Sequence, residues 1–180
     1  MNIIYSEFDE VGLETFRLYR HALTHIGVNF EREDVQIAIV SHYFHMEDAF
    51  RTVIAYWRQG KTIEYPSAFL IAALSEGWKC SYWQDEWLED PDLKNPCLKW
   101  WDDAAAYLGH YRDRMIADVT EDNHGNEHIL FTNGKTMRLD TAKRIGWERV
   151  LQYCIDQGLA SPDARRSLRL DEQTRLGCNA

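Results

Sequence analysis

Apolar residues recur at three- and four-residue intervals through most of the chain, and each run ends at a residue that stops helices. After Ser6, a fair N-cap, the stripe Phe8, Val11, Thr15/Phe16, Tyr19, Ala22/Leu23 and Ile26 predicts a first helix closed by Gly27. A second is predicted over about 34–44, from Val35, Ile37/Ala38, Ile39 and Tyr43. A third is predicted over 46–58, with Ala49/Phe50, Val53/Ile54 and Trp57 on one side. A fourth starts at Pro66, well suited to a first turn, and runs through Phe69, Leu70, Ala72/Ala73 and Leu74 to Gly77-Trp78. Residues 1–78 thus read as a four-helix module.

Residues 79–99, with Pro91 and Pro96, read as an acidic and aromatic connector. Helical spacing resumes from Trp100 to Ala117, through Trp101, Ala104/Ala105, Leu108, Tyr111/Arg112 and Met115. The period then changes. HILFTNGKTMRL carries two short alternating runs around Asn133-Gly134, a strong hairpin signal. Asp140 or Thr141 next caps a helix running to Gln157, which would bury Ile145, Val150/Leu151 and Ile155 before Gly158. Residues 159–180 read as a polar tail with a short helix after Pro162. The expected architecture is mainly α: the four-helix module, a long helix, a short β-hairpin and a C-terminal helix over 100–158.

One segment carries more than periodicity. Residues 61–78, KTIEYPSAFLIAALSEGW, resemble the pattern N-P-x-G-Y/F-L-x-x-A-L/I-x-x-x-W of DnaD-type helical modules and of plasmid and phage replication initiators. Leu23-Thr-His-Ile-Gly-Val28 resembles the helix–turn that precedes it in that family. Tyr65 replaces the usual Asn and Ala68 the usual Gly. The resemblance covers about residues 16–78 and implies a non-catalytic module that sits beside a winged helix, binds DNA weakly or holds a helicase loader or initiator. Residues 1–60 show no winged helix, so contact with DNA would need another surface.

Composition narrows where that surface lies. The 180 residues hold 20 basic and 29 acidic side chains, a net charge of −9, which argues against a protein whose whole surface grips nucleic acid. From Lys135 to Arg175, however, nine basic residues stand against six acidic ones. Lys135, Arg138, Lys143, Arg144 and Arg149 flank the hairpin and start the last helix, and Arg165, Arg166 and Arg169 follow. Such a run is either a solvated face or a phosphate-binding patch. The aromatics Tyr82, Trp83, Trp87, Trp100 and Trp101 alternate with Asp and Glu, where base-stacking rings alternate with Lys and Arg. They read either as rings that close a core or as a protein-docking surface, with Tyr82, Trp83, Trp87 and Trp100 as its anchors.

Positive signs of catalysis are missing from the pattern. There is no G-x-S-x-G, no Gly-rich phosphate loop and no H-E-x-x-H. His21/His25 and His42/His45 stand at helical spacing, yet no acid completes a Glu-x-x-His ligand set near them. His124 and His128 fall in a Gly/Asn-rich turn. Cys80, Cys97, Cys154 and Cys178 lack zinc-site spacing and read as free thiols. The acidic N-terminus is unlike a secretory signal, and mean hydropathy is −0.49 with no membrane-length apolar run, so a cytoplasmic protein is expected. The expected function is a non-enzymatic, replication-associated or regulatory protein acting in an assembly on DNA, with a protein partner, no cofactor, no metal and no membrane. The alternatives are an adaptor without nucleic-acid contact and a metal-dependent enzyme built on the histidines.

Overall fold

The periodicities resolve into a mainly helical fold with one small antiparallel sheet, seen in a computed structural model that describes residues 3–168. Arg169, Cys178 and the end of the polar tail lie outside the described residues. The chain divides into two compact units, Met1–Pro96 and Cys97–Ala180. Residues 79–96 fall within the first unit.

The first unit holds α1 (Ile4–Glu7), α2 (Glu10–Ile26), α3 (Glu33–Ser41), α4 (Met46–Arg58) and α5 (Pro66–Glu76). The single helix expected after Ser6 is broken. Phe8 is extended, and the Asp9 carboxylate restarts the chain by accepting the Gly12 N–H at 2.9 Å. This phase leaves Val11 exposed and buries Gly12, Leu13, Phe16, Tyr19, Ala22 and Leu23. A Cβ at Gly12 would stand 2.9 Å from Tyr43 Cε2, so glycine is what lets that ring lie against α2. The second predicted helix is shorter than its stripe, because α3 stops at Ser41 and residues 43–45 form one 3-10 turn.

Helices α2 and α5 end by the same device. Gly27 and Gly77 take left-handed backbone, at φ 111° and 65°, and the next residue reaches back five positions, Val28 N to Leu23 O at 2.9 Å and Trp78 N to Ala73 O at 3.0 Å. Leu70, Ala73 and Leu74 are fully buried, and α5 packs on both α3 and α4, as its spacing predicts. Phe69 differs. It is half-buried, with its ring 4.9 Å from Tyr56 and 5.3 Å from Trp78. Two buried polar side chains are satisfied: Gln36 donates to Phe30 O at 2.8 Å and accepts from Ile3 N at 3.0 Å, and Ser67 Oγ accepts from Asn29 N at 3.0 Å.

In the second unit α6 (Pro96–Leu108) ends at Gly109, which takes φ 53°, and a short helix α7 (Arg112–Met115) follows. The expected helix over 100–117 thus gives way at Ile116 to a strand. Strands β1 (Ile116–Glu121), β2 (Glu127–Phe131) and β3 (Thr136–Arg138) form an antiparallel meander in that order. The hairpin expected at Asn133-Gly134 is present between β2 and β3, with Gly134 at φ 82°. The predicted last helix is two, α8 (Leu139–Ile145) and α9 (Trp147–Asp156), separated by Gly146 at φ 80° and ψ 168°. Val150 and Leu151 are buried as expected, whereas Ile145 and Ile155 only border the core. No helix among the described residues is long and apolar enough to cross a membrane.

Candidate nucleic-acid interface

The five basic residues singled out by charge are all exposed, but the second unit treats them in two ways. Lys135, at the hairpin turn, donates from its ammonium to Gln157 Oε1. Arg138, at the end of β3, is held by Asp140 at 3.2 Å, and this guanidinium holds the Asp140 carboxyl below its usual range. Lys143 and Arg144 stand in the last turn of α8, and Arg149 follows in the first turns of α9. Among the described residues these three make no ion pair or hydrogen bond through their side chains. The corner between α8 and α9 therefore presents uncompensated positive charge. Part of that placement is already stabilising without a ligand, since cations near a helix C-terminus complement its exposed carbonyls. Farther on, Arg165 is taken up by Glu148 at 2.8 Å and by Gln152 at 2.6 Å. A few cations on one corner can hold phosphates, contacts that position a protein without reading sequence.

The aromatic set separates as well. Trp100 is 4% exposed in the core of the second unit, stacked on Trp147 at 4.6 Å, so it is removed from the candidate docking anchors. Trp83 and Trp87 belong to a strap over residues 79–96 that is fastened to α4. Arg51 lies over the Trp83 ring at 5.6 Å and reaches Asp85 at 3.9 Å; two turns on, Arg58 lies over Trp87 at 5.4 Å and pairs with Asp90 at 3.1 Å. Lys79 pairs with Asp48 at 3.2 Å, and Asn95 donates to Arg17 O at 3.0 Å. Tyr82 alone of the three is exposed, its hydroxyl accepting from Gln59 Nε2. The first of these α4 arginines also serves the core. Arg51 Nε donates to the buried Tyr19 hydroxyl at 2.9 Å, and that hydroxyl donates to Glu47 at 3.1 Å. Burial, set against the Arg51 hydrogen bond and reinforced by the Glu47 charge, pushes the Tyr19 phenol up to about 12.

The histidines have structural surroundings. His45 Nδ1 donates to Leu74 O at 3.0 Å, supplying a partner at the end of α5, and a Cβ on Gly77 would meet its ring at 3.0 Å. His25 stands edge-on to Trp57 at 5.6 Å. Among the described residues no group of three or more His, Cys, Asp or Glu is placed to hold a metal. Cys80, Cys97 and Cys154 are free thiols, and burial raises Cys154 to about 11.

The pattern of charges and rings overlooked one feature. Phe44, read as the end of an amphipathic helix, is 92% exposed on the 3-10 turn. Its only signal in the sequence is the phase slip at Ser41-His42, which periodicity alone does not disclose.

No family model, curated protein or solved structure matches the chain.

Proposed function

We propose that this is a non-enzymatic, replication-associated or regulatory protein of the cytoplasm that works in an assembly on DNA. The observation that carries the reading is the α8–α9 corner, where Lys143, Arg144 and Arg149 stand without counter-charge in a chain of net charge −9. Local positive charge on an acidic protein attracts phosphate at short range only, which limits binding to a small footprint. The resemblance of residues 61–78 to DnaD-type and initiator modules supports the same class. Protein docking in this assembly falls to the exposed edge of the strap around Tyr82, with Trp83 and Trp87 holding it in shape.

A second reading, an adaptor with no nucleic-acid contact, draws on the net charge of −9 and on the ion pair that occupies Arg138. Fluorescence anisotropy with a short DNA duplex at low salt separates the two. Wild type binds and Lys143→Glu/Arg144→Glu does not, if the corner is the contact; no binding by wild type assigns the adaptor.

A further inference from the structure

Beside the exposed Phe44 the first unit carries a cavity of about 260 Å³ lined by Glu7, Phe8, Asp9, Val40 and Tyr43. Packed rings form two of its walls. The Phe8 and Tyr43 rings meet edge-to-face at 5.1 Å, and Tyr43 lies against the bare backbone of Gly12. Phe44 continues this aromatic row at 5.6 Å from Tyr43. At 260 Å³ the cavity falls below the roughly 300–1,000 Å³ of small-molecule pockets, and it suits one large side chain of a partner. Interface hot spots are large side chains seated in well-packed pockets, which a cavity beside exposed aromatic surface can supply. Ile37, one turn before Val40 on α3, is 48% exposed and lengthens the apolar surface along the helix.

Charge specifies the occupant. Residues 1–50 hold nine acidic side chains, three arginines and no lysine. Arg17 is committed to Glu10 at 3.2 Å and Arg32 to Asp34 at 2.6 Å. Glu7 on the cavity wall, and Glu14 and Glu33 on the flanking helices, make no ion pair among the described residues. A second copy of the chain apposed through the same face would bring the same acidic rim and be repelled. The geometry points to a docking groove for a basic amphipathic helix of a partner protein, which seats one Leu or Phe in the Phe8–Val40–Tyr43 cavity, packs beside Phe44 and sets Lys or Arg against Glu7 and its acidic neighbours. This inference is independent of the DNA reading, because it concerns the first unit alone.

The test uses the full chain and a fluorescein-labelled 15-residue helical peptide with Leu and Phe on one face and Lys along both borders. Binding is followed by anisotropy, with amide chemical shifts mapping the contact. The expected result is saturable binding whose shifts fall on residues 7–12 and 37–45. Phe44→Ser, at a site too exposed to affect folding, weakens it at least about tenfold, as loss of a hot-spot side chain does. Glu7→Lys weakens it severalfold, and Glu64→Lys, an exposed acid elsewhere in the unit, leaves it unchanged. A peptide with Lys replaced by Glu, or with Leu and Phe replaced by Ala, does not bind. Equal binding by wild type and Phe44→Ser, or equal weakening by Glu7→Lys and Glu64→Lys, overturns the proposal in favour of unspecific charge attraction. Sedimentation that shows a dimer dispersed by Phe44→Ser also overturns it and gives the face to a second copy.

Discussion

Two neighbouring residues on α5 are expected to respond very differently to the same truncation. Leu70 is fully buried where α5 meets α3 and α4, whereas Phe69 is half-buried between the Tyr56 and Trp78 rings. Leu70→Ala removes three carbons, at about 0.8 kcal/mol each a loss of roughly 2.4 kcal/mol. Helices on two sides restrict collapse, and a residual cavity of roughly 50 Å³ adds about 1.2 kcal/mol. The expected cost is about 3.5 kcal/mol, a large share of the roughly 5–15 kcal/mol that a domain holds. Phe69→Ala opens a surface notch that water fills, so the cavity contribution vanishes. What remains is part of the ring's burial and its aromatic contacts, about 2 kcal/mol. Urea unfolding followed by circular dichroism reads both as shifts in midpoint at constant slope. If the two units unfold separately, the shift is confined to one transition. Phe69→Ala costing as much as Leu70→Ala, or more, refutes a core that closes over Leu70 and leaves Phe69 at its edge.

Gly77→Ala is expected to destabilise the first unit by about 1–2 kcal/mol, because φ is 65° and the new methyl would stand 3.0 Å from the His45 ring. Its measurement is the same urea series, with Gly60→Ala, in open space at φ 72°, giving the backbone cost alone. The Tyr19 phenol, raised to about 12 from about 10, makes stability depend on pH at the alkaline end. Its contribution is fully present below about pH 10 and is lost as pH rises from about 10 through about 12. Thermal unfolding between pH 8 and 11.5 should therefore show a decline that Tyr19→Phe, less stable at pH 8, flattens; an equal decline in both proteins contradicts a buried Tyr19 hydroxyl held between Arg51 and Glu47.

What the sequence discloses of this fold follows from where punctuation is strong. α4 and α5 are legible almost to the residue, since Pro66 opens one and Gly77 closes it, while Gly60 follows the other. β1 is not legible. Met115 sits four residues after Tyr111, so the helical period runs on, and only the partner strand β2 makes Ile116–Glu121 extended. Gly146 is equally opaque, because Ile145 and Val150/Leu151 keep helical spacing across the break between α8 and α9. Of the candidate surface, the basic run is plain in the sequence, but not its division. That Arg138 is spent on Asp140 and Lys143 is not depends on how β3 hands over to α8. Trp100 and Tyr82 look alike as aromatic neighbours of acids, and only packing places one in a core and the other in solvent.

Contact between the α8–α9 corner and phosphate would show in the salt dependence of DNA binding. Counted from the sequence alone, the basic residues of the hairpin and last helix amount to roughly three to five contacts and a slope of about −3 to −4. Arg138 is paired with Asp140, whereas Lys135 keeps its full charge beside the neutral Gln157 amide, so about three to four contacts remain. At about 0.9 per neutralised phosphate, a plot of log affinity against log salt should fall with a slope of about −3 to −4 for wild type, and of about −1 to −2 for Lys143→Ala/Arg144→Ala. The same slope in both proteins, or wild-type binding that does not respond to salt, contradicts that contact.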